Sequence, residues 1–188
     1  MRKIKFSDCI IVSKFSKHIQ IKEQVLSLID ESNDKKYALD DSYYTDSVSK
    51  LDWDKCHEMD RDWVKVILPH LSKEITNMMR PQAYTLLKLP EIWYQQYQEN
   101  DTHGWHIHGE HFTGVYYLEY PISCSKTKVC SPFDLSSQEI DVEEGDIILF
   151  PSHWIHTGPP NGKERKTIIS FNFSADTKKL NVNLIDQN

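Results

Sequence analysis

The chain divides by the period of its apolar positions. Between Ser16 and Glu31 the apolar residues Ile19, Val25, Leu26, Leu28 and Ile29 recur at roughly helical spacing, which predicts one amphipathic helix. A second starts near Asp60, where Trp63, Val64, Ile67, Leu71, Ile75, Met78 and Met79 form an apolar stripe. Pro69 interrupts that stripe and predicts a kink or a division, because proline removes an N–H and crowds the preceding turn. Between them, Asn33 to Lys50 is rich in Asp, Ser and Lys and reads as a loop or irregular arm. Helices of this kind cover one face of a sheet.

From Ala83 the period shortens to that of strands. Tyr84 to Leu89, Ile92 to Tyr97, Trp105 to His108, Thr113 to Tyr120, Ile147 to Phe150 and Thr167 to Phe173 are β-like runs separated by turn signals. Short strands at this spacing predict an all-β sandwich or jelly roll, with Gly145-Asp146 turning the chain into a buried strand. At 188 residues the chain can bury one sizeable core, so one domain is expected. Its parts are a helical wrapper and lid region over 1–82, a β core over 83–175 and a tail over 176–188. Asn33 to Asp54 and Ser123 to Ile140 have the composition of mobile lids.

Charge and composition narrow the function classes. A net charge of −6 argues against general nucleic-acid binding, which needs clustered Lys and Arg on phosphates. No run of about 18 apolar residues is present for a membrane span, and no basic-then-apolar leader is seen, so the chain reads as cytoplasmic and without a membrane partner. Cys9, Cys56, Cys124 and Cys130 are scattered and read as reduced thiols.

Six of the nine histidines lie between 103 and 156. Side chains two apart on a strand point the same way, so His106, His108 and Glu110 can face one point. His156, after the apolar run ending at Phe150, supplies a third ligand from elsewhere in the fold. Imidazoles, with or without a carboxylate, on a β scaffold suit Fe(II) with open positions, and ligand type alone also allows zinc. His103, His111 and His153 read as loop residues or as groups that orient ligands. Further on, Arg165 and Lys166 open a strand-like run through Asn172, where a cation can hold a dicarboxylate. Neighbours on a strand face opposite ways, so only one enters the pocket. Arg165 would bring Thr167 with it, and Lys166 would bring Ser170 and Asn172.

The stretch Tyr97 to Phe173 resembles the iron(II) and 2-oxoglutarate-dependent oxygenases, particularly prolyl hydroxylase-like and uncharacterised phage or bacterial members. The resemblance is carried by Tyr97, Trp105-His-Ile-His108, Gly114-Val-Tyr-Tyr-Leu118, Gly145-Asp-Ile-Ile-Leu-Phe-Pro151, His156 and the run from Arg165 to Asn172. It implies a mainly β, double-stranded β-helix (jelly roll, cupin-like) fold with N-terminal helices. It also implies an Fe(II) enzyme that takes 2-oxoglutarate as co-substrate with O2. In that enzyme His106 and His156 are metal histidines and Arg165 is the clamp, with Lys166 as rival. Tyr97 and Tyr117 stand near the co-substrate. Members usually carry Asp or Glu where this chain has His108. The metal shell is therefore three imidazoles, or His108 with Glu110, or a set that Glu110 completes.

The expected reaction is hydroxylation of a C–H bond of a peptidyl substrate, with prolyl as one option, or of a small-molecule substrate, with Trp93, Tyr94, Trp105 and Trp154 as candidate walls. The alternatives are a cupin-type three-histidine dioxygenase that does not use 2-oxoglutarate, and a non-catalytic metal-binding β-sandwich module. Dependence on the co-substrate separates them.

Overall fold

Alternation of apolar and polar side chains builds two antiparallel sheets in a computed structural model that describes residues 9–40, 45–82, 84 and 86–176. The larger sheet runs in the order β1 (Ile11–Lys14), β10 (Asp146–Pro151), β7 (Phe112–Glu119), β12 (Lys166–Asp176), β5 (Leu86–Tyr97) and β4 (Lys50–Leu51). The smaller one runs β6 (His103–His106), β11 (Ile155–Gly158), β8 (Lys128–Cys130) and β9 (Ser137–Glu139). The two sheets make the expected double-stranded β-helix.

Parity along the central strands decides what faces what. On β12 the residues Ile169, Phe171 and Phe173 join Tyr116, Leu118, Ile147 and Leu149 in a core closed by the helices α1 (His18–Glu31) and α2 (Asp62–Met79). The alternate residues point between the sheets, where Tyr97, Val115, Tyr117, Val129, Ile148, Phe150, Trp154 and Ile168 form a second core. Each such side chain contributes roughly 1.5–3 kcal/mol on burial. Close approach requires glycine at Gly114, since a Cβ there would overlap the Phe171 ring and come within 2.8 Å of Leu149 Cδ2.

The helical stripes hold with two differences. Residues Ile21, Val25, Leu26 and Ile29 are buried on α1, while Ile19 in its first turn is 91% exposed. Helix α2 buries all seven residues of its stripe and runs unbroken through Pro69. That proline is exposed, as is Lys65, whose carbonyl loses its helical partner there.

Strand boundaries differ more. The two runs expected on either side of Pro90 are one strand, β5, and the register with β12 shifts between Asn172 and Ser174 opposite that proline. The expected irregular arm contains a hairpin of β2 (Tyr37–Asp40) and β3 (Thr45–Val48). Its polar residues are used inward. Buried Asp101 accepts hydrogen bonds from the Ser47 hydroxyl at 2.8 Å, Ser49 N–H at 3.0 Å and Gln98 N–H at 2.8 Å, and Ser47 pairs with Thr102. This docks the arm beside β6. The expected lid between Ser123 and Ile140 carries β8 and β9 of the smaller sheet, because Val129 is buried there and pairs with His156. Among the described residues no helix is long and apolar enough to cross a membrane.

Candidate functional site

Strands β6 and β11 set His106 and His156 directly opposite each other, with ring centroids 4.2 Å apart. The strand ends at His106, two residues before the second histidine of the H-x-H clip. His108 is held instead by its backbone N–H, which donates to Ser152 O at 3.0 Å. Its ring stands 5.0 Å from each of the other two, and ligand nitrogens of all three lie within 4.8 Å of one another.

Hydrogen bonds fix which nitrogen of each ring is free. His106 Nδ1–H donates to Gly104 O at 2.7 Å, and His156 Nδ1–H donates to Trp154 O at 3.0 Å. Both Nε2 atoms therefore carry lone pairs toward the common centre. His108 Nε2 lies 3.2 Å from His156 Nε2, a contact that requires either a proton or a cation between them. Burial first, then the neighbouring rings, push His106 far below its ordinary pKa and His108 to about 3. Burial pushes His156 to about 4, against its bond to Trp154 O. All three are neutral at neutral pH, the form that binds metal. This donor set fits a divalent ion.

Behind His108, Asn172 Nδ2 lies 3.3 Å from Nδ1 and donates to Glu91 Oε2 at 2.6 Å. The Asn172 Oδ1 is buried without a partner among the described residues, an acceptor in reserve for a protonated Nδ1. Beside His106, His103 packs at 3.9 Å between centroids and its Nδ1 bonds buried Asp46 at 2.7 Å.

Arg165 and Lys166 part company. Arg165 turns outward, donating to Glu119 at 2.7 and 3.0 Å and to Asp30 at 3.0 Å, and Thr167 also donates to Glu119 at 2.9 Å. Both lie away from the histidines: Thr167 shares the helix-facing parity of Ile169, Phe171 and Phe173 on β12, and Arg165 precedes the strand by one residue. Of the residues expected beside the co-substrate, Tyr97 and Lys166 line the cavity of the three histidines, and Arg165 and Thr167 do not. Lys166 is 3% exposed and lines the same narrow cavity as the three histidines, together with Tyr97, Thr127 and Ser170. Its Nζ sits 4.5 Å above the Tyr97 ring and bonds the Ser125 hydroxyl at 3.0 Å, with no carboxylate ion-paired to it among the described residues. Burial pushes its pKa down to about 8.

Tyr117 is buried in the inner core and bonds Thr127 Oγ1, which lines this cavity, at 2.8 Å. Glu110 is not drawn in. Its carboxylate accepts from Ser174 Oγ, and it lines a separate cavity beyond His108 with His111 and His153. Of the candidate walls, Trp93 reaches the site, 5.7 Å from His108. Tyr94 donates to Asp34 on the helix side, Trp105 is 47% exposed, and Trp154 is buried in the inner core.

The histidine–lysine cavity holds only about 30 Å³ of free space, room for a water. A wider cleft of about 190 Å³ opens on the other side of His106 and His108, walled by Tyr37, Trp53, Trp93, Leu51 and Ile107. The arm missed as a loop builds part of this wall. Its signal was the alternation in Thr45-Asp-Ser-Val48, where the inward residues Asp46 and Val48 are buried.

No protein-family model matches the chain. No curated protein matches it in sequence. Solved structures do match in shape. A 2OG-Fe(II) oxygenase family oxidoreductase from Burkholderia pseudomallei aligns over 88% of this chain and 84% of its own, at 11% identity and a TM-score of 0.70. A Pseudomonas putida prolyl-4-hydroxylase aligns over 89% and 92%, at 11% identity and 0.63. A Trichoplax adhaerens prolyl hydroxylase, in complex with a hypoxia inducible factor peptide fragment, aligns over 88% and 83%, at 17% identity and 0.63. The chain has the fold of these oxygenases.

Proposed function

We propose that this chain is an Fe(II)- and 2-oxoglutarate-dependent dioxygenase that hydroxylates a C–H bond of a peptidyl or small-molecule substrate. The observation that carries the reading is one cavity lined both by three neutral imidazoles and by a buried lysine that has no ion-pair partner among the described residues. An unpaired buried cation is costly and is kept where an anion is to be met. His106, His108 and His156 would hold the metal, and Lys166 would meet the far carboxylate of the co-substrate. Ferrous iron with 2-oxoglutarate and O2 supplies, when bound, the oxidant for hydroxylation, with release of succinate and CO2.

The chain's own residues do the rest. Lys166 must leave the Tyr97 ring and Ser125 to admit a dicarboxylate, since about 30 Å³ is too little for one. Asp46 fixes Nδ1–H on His103, which leaves His103 Nε2 as an acceptor at the border of both cavities. The aromatic cleft takes the substrate. Tyr37, Trp53 and Trp93 suit a flat or ring-bearing apolar group, and a prolyl residue in a peptide is the first to try, as two of the similar folds are prolyl hydroxylases.

A second reading draws on the absence of a carboxylate from the shell: a three-histidine dioxygenase of the cupin type, which would have no use for Lys166. Anaerobic titration of the Fe(II)-loaded protein with 2-oxoglutarate separates the two. A weak visible metal-to-ligand charge-transfer band is expected, and its absence at saturating co-substrate would overturn the proposal.

A further inference from the structure

A second set of ligand atoms lies on the far side of Asn172. Cys56 Sγ, a ring nitrogen of His57 and a carboxylate oxygen of Glu91 all lie within 4.8 Å of one another. The backbone builds this cluster. Ile92 N–H donates to Cys56 O at 3.0 Å, and His57 Nδ1–H donates to Pro90 O at 3.1 Å, so the turn after Trp53–Lys55 is clipped to β5 on either side of Glu91.

The second clip fixes the tautomer of His57. With Nδ1–H committed to Pro90 O, the neutral ring presents the Nε2 lone pair to Glu91 Oε1 at 3.7 Å. Two acceptors that face each other are reconciled by a proton on the ring or by a cation between them. A separation of 3.7 Å is too long for a direct imidazolium–carboxylate hydrogen bond. It is close to the roughly 3.4 Å between ligands of a tetrahedral ion with bonds of about 2.0–2.1 Å. The other Glu91 oxygen is held by Asn172, so this carboxylate is oriented before any ion arrives. The thiol of Cys56 is raised by burial and by Glu91, a disfavoured thiolate that a divalent ion would stabilise. Arg61, the nearby positive charge, is paired with Asp52 and so does not cancel the cluster.

We propose that Cys56, His57 and Glu91 form a second metal site for a zinc-class divalent cation, with water completing a tetrahedron. The His57 side chain is 70% exposed, which gives the ion its path from solvent. The site is joined to the histidine pocket through Glu91, Asn172 and His108. An ion drawing on Glu91 therefore alters the charge behind one of the first site's imidazoles.

The test uses the full chain carrying His106→Ala and His156→Ala, which removes the first site, titrated with Co²⁺. One ion per chain is expected, with a thiolate-to-cobalt charge-transfer band and tetrahedral visible bands that excess Zn²⁺ bleaches. Adding Cys56→Ser should abolish the charge-transfer band, and adding His57→Asn, whose amide N–H can keep the bond to Pro90 O, should weaken cobalt binding at least ~10-fold. No cobalt spectrum at millimolar metal, or a charge-transfer band that survives Cys56→Ser, would overturn the site.

Discussion

Lys166→Met separates the two roles of a buried cation. Burial has moved its pKa from 10.5 to about 8 in the folded protein, a gap worth about 3 kcal/mol. The folded state binds this proton less tightly than the unfolded state. The cost is therefore full below about pH 8 and fades as pH rises toward 10.5. Methionine keeps the length and removes the charge, so at pH 7 the variant should be more stable than the parent by up to about 3 kcal/mol, less the loss of the Ser125 hydrogen bonds. The same change should weaken 2-oxoglutarate. A charge-assisted hydrogen bond is worth ~1.5–3 kcal/mol, which is ~10–100-fold in Kd. Arg165→Ala should do the reverse. It loses bonds to Glu119 and Asp30 at a side chain 32% exposed, about 1 kcal/mol, and leaves the co-substrate Kd within about twofold. Urea denaturation of the metal-free proteins and anaerobic calorimetry of 2-oxoglutarate with Mn²⁺ read the two quantities. An unchanged Kd in Lys166→Met, or a tenfold rise in Arg165→Ala, would refute the reasoning.

Acid should unfold the metal-free protein early. The folded pKa of His156 is pushed to about 4 and that of His108 to about 3, so the unfolded state takes up protons first as pH falls below 6.5. Asp52, raised to about 6 by burial, works the other way, one group against the three histidines. Urea midpoints should fall between pH 6.5 and 4, and a flat profile would contradict the burial of neutral rings. Gly114→Ala should cost about 1–3 kcal/mol by forcing Phe171 and Leu149 apart, read as a lowered melting temperature with metal binding retained after folding. Asn172→Ala should lower Mn²⁺ affinity ~10–100-fold by releasing His108 from Glu91, and unchanged affinity would show that the amide does not position the ring.

Much of this site is legible in the sequence because its geometry is local or periodic. His106 and His108 are two residues apart, and His156 follows an apolar strand whose end is marked by Pro151. What is not legible depends on contacts made across the fold. Glu110 has the right chemistry and the right parity, yet the chain leaves the strand after His106, and the turn carries the carboxylate into another cavity where Ser174 takes it. Likewise the arm over 33–50 is too polar to read as part of a wall. Its Asp46 and Ser47 gain their partners only when His103 and Asp101 arrive from the next half of the chain.

The choice between Arg165 and Lys166 had a signal that the resemblance obscured. On β12 one parity reads Ile169, Phe171, Phe173 and the other Ile168, Ser170, Asn172. Large apolar residues on every position of a face demand a thick apolar cover, and only the two long amphipathic helices offer one. The parity with a serine and an asparagine must then face the polar cavity between the sheets, and Lys166 belongs to it. Near the strand's start the register with β7 shifts between Thr167 and Ile168, a bulge that on its own would blur the parity. The pairing with β5 runs without a shift from Lys166 to Asn172, so the side of Lys166 is fixed by the Tyr97 strand. Of the two cations that the resemblance offers, parity thus favours Lys166 for the role proposed above. The same reasoning makes Lys166 to Asn172, rather than Arg165 to Thr167, the face along which any co-substrate specificity would be changed.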